Sequence, residues 1–169
     1  MATVRNPVIG LVSQVGWTDV AEAVDRYGGA ESGMHESFEI SIKDSLSWDE
    51  LRTALAEYLR TPIESVVMFG DWLDLSPKKQ GETTSLDIIR QEVGYRTLVN
   101  GTSPLNVCGE KLGFLAAALA AEFSTSVAIG DYSHDCGYAC GRFIVYQPDG
   151  STFSAPEESG GEFWDLELR

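Results

Sequence analysis

The sequence contains few basic residues, few cysteines and no long apolar run. Lys and Arg total 12, and cysteine occurs three times, an odd number that cannot form a complete disulfide framework. The longest apolar block, residues 114–121, is far shorter than the roughly 20 residues that a membrane-spanning helix needs. Residues 1–20 also lack the basic, apolar and small-residue order of a secretory signal. We therefore expect a cytoplasmic protein with reduced cysteines and no membrane contact.

The sequence signatures of common enzymes are missing as well. The chain has no Gly-x-Ser-x-Gly, no phosphate-binding loop of the Gly-Lys-Ser type, no His-Glu-x-x-His and no strand-linked Gly-x-Gly-x-x-Gly. With 26 acidic residues in 169, carboxylate pairs such as Asp71 with Asp74, or Asp131 with Asp135, are expected by chance, and we assign them to solvated turns. The sequence therefore predicts a non-enzymatic protein without a cofactor.

Hydrophobic patterns predict a single α+β domain over residues 1–169, with a mostly antiparallel sheet packed against two or three helices. Apolar alternation and short apolar runs predict strands at 7–15, 37–43, 64–69, 95–99, 125–131, 140–147 and 151–155, and a closing strand at 163–168. Helical periodicity predicts helices at 48–60, 86–93 and 110–123.

Residues at the ends of these segments support the helix predictions. Ser47 and Glu50 match a capping box at the start of the first helix, and Pro62 follows its end. Ser85 and Gly94 have the residue types of a cap and a stop for the second helix. The sequence Gly-Asp-aromatic occurs at 70–72 and again at 130–132, and both copies predict a tight turn at the end of a strand.

The segment 133–140, Ser-His-Asp-Cys-Gly-Tyr-Ala-Cys, is the part of the chain that most resembles a reactive site. His134, Cys136 and Cys140 could join Cys108 as four zinc ligands, but their spacing does not match the paired ligands of structural zinc sites. A thiol nucleophile at Cys136, paired with His35, is a second alternative. We favour a third interpretation, a glycine-containing hairpin loop that binds no metal.

Charge is the least ordinary property of the sequence, because 26 acidic residues leave a formal net charge of −14. Such a surface repels nucleic acid phosphates and attracts basic proteins. Acids also lie beside aromatic residues, which protein interfaces favour. The resulting candidates for binding a basic protein are Trp17, Asp71, Trp72, Asp74, Asp131, Glu162, Trp164 and Asp165. An acidic mimic of DNA, which would inhibit a nucleic-acid-binding protein, is the alternative.

Residues 111–150 combine an apolar Ala/Leu helix, a strand that ends in Gly-Asp, and the sequence Gly-Arg-Phe-Ile-Val-Tyr-Gln-Pro-Asp-Gly. This order resembles the C-terminal half of small acidic immunity proteins from bacterial polymorphic toxin systems. The resemblance implies a protein that binds a cognate toxin, commonly a basic nuclease or another cytoplasmic effector, and covers its active site. It assigns no catalytic residue to this chain.

Overall fold

A seven-stranded sheet forms the centre of the structure, a computed structural model that describes residues 36–131 and 142–156. Its strands are β1 (Glu36–Ile42), β2 (Val66–Met68), β3 (Thr84–Arg90), β4 (Thr97–Ser103), β5 (Val127–Gly130), β6 (Arg142–Tyr146) and β7 (Thr152–Pro156). The helices of these residues are α1 (Trp48–Tyr58), α2 (Phe69–Leu73), α3 (Pro77–Gln80) and α4 (Glu110–Glu122), and a 3-10 turn spans Ile63–Ser65.

The strands lie in the order β2-β3-β4-β1-β5-β6-β7, and every neighbouring pair except β2–β3 is antiparallel. This confirms the predicted α+β class and the mostly antiparallel sheet. The parallel pair needs a connection that returns the chain to the same end of the sheet. Helices α2 and α3 lie within that connection, and α2 contacts both β2 and β3.

Helices α1 and α4 pack with the sheet to form the main core. In β1, Phe38, Ile40 and Ile42 are buried with the helices, as expected when alternate residues of a strand share one face. The apolar residues that α1 and α4 contribute to this core are Leu51, Ala54, Leu55, Ala56, Leu112, Leu115, Ala116, Leu119 and Ala120. The core face is therefore built from distant parts of the chain.

The predicted first helix is confirmed, together with the interactions that start it. The Glu50 carboxylate accepts a hydrogen bond from the Ser47 backbone N–H at 2.7 Å, and the Ser47 hydroxyl oxygen accepts one from the Glu50 N–H at 3.3 Å. The Ser47 hydroxyl also donates a hydrogen bond to the Glu50 carboxylate at 2.6 Å, and this bond, followed by the one from the Ser47 backbone N–H, lowers the pKa of Glu50. This capping box satisfies backbone donors that the first turn of a helix leaves unpaired.

The predicted helix at 110–123 is confirmed as α4, and one of its glycines allows close packing against the sheet. A Cβ atom added at Gly113 would lie 2.7 Å from the hydroxyl oxygen of Tyr146 on β6. That separation is shorter than a carbon–oxygen contact tolerates, so any larger residue at this position would displace α4 or Tyr146. Gly113 therefore permits the close approach of α4 to β6.

The predicted helix at 86–93 is wrong, because these residues belong mainly to β3. Leu86 pairs with Gly101 and Ile88 with Val99 on β4, while β2 pairs on the other side. Thr84, Ser85 and Leu86 are all buried, as expected for the part of β3 that has a strand on each side. Pairing on both sides of β3 outweighed a weak helical pattern of apolar residues.

The predicted tight turn at Gly70–Asp71 is also wrong, since both residues lie in α2. The predicted strand at 64–69 is confirmed only for Val66–Met68. Strands predicted at 37–43, 95–99, 125–131, 140–147 and 151–155 are confirmed as β1, β4, β5, β6 and β7, with small differences at their ends. The strands predicted at 7–15 and 163–168, and the loop at 133–140, lie outside the described residues.

Candidate protein-binding site

Large apolar side chains are exposed where the chain leaves β2 and enters α2. The exposed fraction is 40% for Met68, 44% for Phe69 and 57% for Leu73. Isolated exposed apolar residues are ordinary on protein surfaces, but a contiguous group commonly marks a contact with another molecule. We call this group, together with its neighbouring acids, the edge patch, and it comprises Met68, Phe69, Asp71, Trp72, Leu73 and Asp74.

Three interactions fix the edge patch in position. The rings of Phe69 and Trp72 are stacked, with centroids 5.9 Å apart and an interplanar angle of 16°. Trp72 Nε1 donates a hydrogen bond to the Gln80 carbonyl at 3.3 Å, and Gln80 Nε2 donates one to the Trp72 carbonyl at 3.1 Å. Because α2 has only five residues, it depends on such contacts with α3 for its stability.

Arg52 of α1 holds the start of β2. Its single Nε–H donates a bifurcated hydrogen bond, to the Val66 carbonyl at 2.9 Å and to the Ile63 carbonyl at 3.1 Å. The guanidinium carbon also lies 5.8 Å from the ring centroid of Trp48, within the range of a cation–π interaction. Arg52 therefore connects the helix that packs on the core with the chain segment that leads into the edge patch.

The chain segment that contains the edge patch carries acids and no base of its own. Residues 63–74 contain Glu64, Asp71 and Asp74 and no Lys or Arg. All three acids are exposed. The nearest basic residues along the chain, Lys78 and Lys79, come later in α3. An apolar surface flanked by exposed carboxylates can bind apolar side chains and cationic groups at the same time.

The structure thus brings three of the predicted binding residues together, Asp71, Trp72 and Asp74. Asp71 and Asp74 are exposed, and Trp72 is half-buried between Phe69 and Gln80. The sequence prediction missed Met68, Phe69 and Leu73, because apolar residues after a strand are ordinarily assigned to the core. The available signal was Gly70 and two acids within this apolar run, since a short segment with that composition cannot bury all its side chains.

Asp131 does not lie with this group. It follows β5, and β5 is four strands from β2, a separation of about 19 Å at the usual strand spacing. Its exposed fraction is only 6%, and its backbone N–H donates to the Arg142 carbonyl at 2.9 Å. Burial, and next the charge of Asp131, raise the pKa of Tyr146. A buried carboxylate at this position is a part of the fold and not of the edge patch.

Four other predicted binding residues, Trp17, Glu162, Trp164 and Asp165, lie outside the described residues. Their assignment to a binding surface stays a prediction.

Cys108 is the one predicted zinc ligand that lies within the described residues. Its thiol is exposed and donates a hydrogen bond to Asn106 Oδ1 at 2.9 Å. Desolvation, and next the Glu36 carboxylate, raise the pKa of this thiol, so the thiolate that binds metals or attacks substrates is disfavoured. Within 36–131 and 142–156, no three His, Cys, Asp or Glu side chains are close enough to hold a metal ion.

The other residues of the zinc and thiol hypotheses, His35, His134, Cys136 and Cys140, lie outside the described residues, and both hypotheses stay predictions.

Across the described parts of the chain, every helix is too short or too polar to cross a membrane. Comparison with known proteins adds no further assignment, because no family model, curated protein or solved structure matches this chain.

Proposed function

We propose that this protein is a non-enzymatic inhibitor that binds a basic bacterial toxin domain and covers its active site, as an immunity protein does. The observation that carries the proposal is the edge patch, where exposed Phe69 and Leu73 occur in the same short segment as the exposed acids Asp71 and Asp74. Aromatic residues are enriched at protein interfaces, and removing apolar surface from water favours association. The net charge of −14 selects a basic partner over an acidic one.

Electrostatics gives this proposal a kinetic consequence. Opposite charges on two proteins accelerate their encounter, and salt suppresses the effect because the Debye length falls to about 8 Å at physiological ionic strength. A complex between this chain and a cationic toxin therefore associates more slowly as salt increases. Its dissociation changes less, because dissociation depends mainly on the contacts that are desolvated in the complex.

The first experiment is affinity capture of the tagged protein from a lysate of its bacterial host at low and high salt, with partners identified by mass spectrometry. The expected result is one stoichiometric basic protein whose expression alone arrests growth, and whose toxicity the present protein abolishes. A partner that is acidic or not toxic, or no partner at all, contradicts the proposal. Displacement of the partner by duplex DNA supports instead the acidic DNA mimic.

Charge reversal tests whether the edge patch takes part. Asp71→Lys and Asp74→Lys are expected to slow association with the toxin and to weaken protection in a growth assay. Glu92→Lys is the matched control, because it makes the same change at an exposed acid in the turn after β3. That turn begins after Arg90 of β3. Met68 pairs with Leu86 of β3, and Arg90 lies four residues further along the same strand, about 13 Å from Leu86.

A further inference from the structure

The side chains of the edge patch point to the chemistry of the segment that binds there. Phe69 and Leu73 are four residues apart on α2, a spacing that places two side chains next to each other on one helix face. Both are more than 40% exposed, and Met68 of β2 is exposed beside them in the sequence. A partner must present apolar atoms to remove this surface from water.

The charges around these side chains restrict the partner further. Asp74 directly follows Leu73 at the end of α2, so an apolar side chain of the partner that covers Leu73 lies close to an exposed carboxylate. Asp71 is two residues from both Phe69 and Leu73 and lies towards the other side of this helical turn. A partner without basic groups would leave the Asp74 carboxylate partly desolvated and unpaired, which costs free energy. A second copy of this chain is a poor occupant for the same reason, since each copy has a net charge of −14.

Binding by addition of a strand to β2 is disfavoured at this edge. β2 has only three residues, and the chain changes to a helix directly after Met68. The carbonyl of Val66 is already bonded to Arg52. A partner strand needs a row of available backbone N–H and C=O groups, and short or blocked edges do not supply one.

We infer that the edge patch binds, through side-chain contacts, a partner segment in which Lys or Arg side chains flank an apolar or aromatic residue. This inference rests on the proposed function, because it describes how the inhibitor contacts its toxin. The stacked Phe69–Trp72 pair and the two hydrogen bonds between Trp72 and Gln80 hold the surface in place before binding. Little conformational entropy is then lost when the partner docks.

The test uses random peptides displayed on phage and selected against the immobilised full-length protein. Selected peptides are expected to combine Lys or Arg with apolar or aromatic residues. Synthetic versions are then titrated by fluorescence polarisation against the double variant Phe69→Ser/Leu73→Ser, which should lose about tenfold or more in affinity. Val93→Ser, at a residue that is 59% exposed in the turn after β3, is the control and should leave the affinity within about twofold.

A charge-neutral pair of variants isolates the electrostatic part. Asp71→Asn/Asp74→Asn is expected to weaken peptide binding and to reduce its salt dependence, whereas Glu92→Gln should change neither. Circular dichroism and a thermal melt of each variant establish that it is folded. If Phe69→Ser/Leu73→Ser does not fold, Leu73→Ser alone replaces it, because Leu73 is the most exposed apolar residue of the patch.

Backbone N-methylation of the best peptide, one amide at a time, tests the mode of binding. If the peptide binds through its side chains, N-methylation should not lower the affinity at every second amide. Loss at alternate amides is the pattern of an added strand and overturns the inference. Failure to select any peptide, selected peptides without basic residues, or peptides that bind all patch variants as well as the wild type also overturn it.

Self-association is measured separately by sedimentation. A dimer of the wild type that Leu73→Ser dissociates would identify a second copy as the occupant, and this too overturns the inference.

The inference and the proposed function can fail independently. A toxin that is neutralised equally well by the patch variants leaves the function standing and removes the inference. Peptide binding at the edge patch by a protein that gives no protection from a toxin would leave the inference about the peptide standing and remove the proposed function.

Discussion

The core face of the sheet and the edge patch contain similar residue types in opposite environments. Leu55 of α1 has an exposed fraction of 1%, whereas Leu73 of α2 has one of 57%. Burying a leucine contributes about 1.5–3 kcal/mol to folding, so Leu73 yields much less of that contribution than Leu55 does. The difference separates residues that stabilise the protein from residues whose apolar surface is available to another molecule.

The arrangement of the sheet explains this difference. α1 and α4 are long enough to cover several strands, and their buried residues lie in one cluster with β1. α2 has five residues and directly follows β2, the outermost strand at one end of the described sheet. Stability and binding should consequently respond to different substitutions.

The largest expected effect is on stability, from a substitution in the core. Leu55→Ala removes a buried side chain from the contact between α1 and the sheet and should lower the free energy of unfolding by about 3 kcal/mol. Urea denaturation followed by circular dichroism measures it. A loss below about 1 kcal/mol would show that the core is loosely packed, and the contrast in stability between the core and the edge patch would not hold.

The next effect is on binding. Leu73→Ser should change the free energy of unfolding by no more than about 0.5 kcal/mol, because the side chain is mainly exposed. The same substitution should weaken binding to the toxin by about tenfold, or about 1.4 kcal/mol. Isothermal titration calorimetry and urea denaturation of one preparation give both values. A Leu73→Ser protein that is strongly destabilised but binds normally contradicts the assignment of this residue to the edge patch.

Arg52 lies between the two regions, and its replacement should affect both moderately. Arg52→Lys keeps the positive charge but cannot donate from Nε to the Val66 and Ile63 carbonyls. We expect a loss of about 1–1.5 kcal/mol of stability, discounted for the partial exposure of these bonds. Hydrogen exchange should show faster exchange in 63–74 and unchanged exchange in β1. Equal acceleration in both segments would mean that Arg52 stabilises the whole fold and not this connection.

The smallest effect is at the start of α1. Ser47→Ala removes the capping box and should cost about 0.5–1 kcal/mol without changing partner binding. The pKa of Glu50 is lowered in the folded protein by its bonds with Ser47. Its contribution to stability is therefore fully present above the pKa of the unfolded chain and is lost as pH falls through the folded-state pKa.

Urea denaturation of Ser47→Ala and the wild type between pH 7 and pH 3 measures this contribution. The difference between the two proteins should become smaller as the solution becomes acidic. A difference that grows at low pH would be incompatible with the capping role of Glu50.

Local patterns in the sequence were sufficient to predict α1 and α4, because Ser47, Glu50 and the helical spacing of apolar residues act over a few positions. The segment at β3 was mispredicted because its conformation depends on pairing with β2 and β4, and no local pattern contains that information. Its β-branched residues, Thr84, Ile88 and Ile89, favoured a strand and were outweighed by an apparent cap at Ser85.

For the candidate site, Asp71, Trp72 and Asp74 were predicted to bind a partner because acids lie beside an aromatic residue. The structure places these residues in and next to α2, and their role in binding stays a prediction. Gly70 and the two acids indicate that this segment cannot bury all its side chains, but which of them are exposed depends on the position of β2 at the edge of the described sheet, and strand order is a property of the whole fold. The burial of Asp131 has the same origin, since it depends on the neighbours of β5.

The position of β1 has a consequence for synthesis of the protein on the ribosome. β1 appears early in the chain, but its partners are β4 and β5, and Ser41 pairs with Ala128. The centre of the sheet cannot be completed before β5 has left the ribosomal exit tunnel, so folding waits for contacts between distant segments. Proteins dominated by such contacts fold more slowly than helical bundles of similar size. A nascent chain that ends after α4 lacks β5, the strand that pairs with one side of β1. Ribosome-bound chains of increasing length should therefore acquire resistance to proteolysis only once β5 has emerged from the exit tunnel.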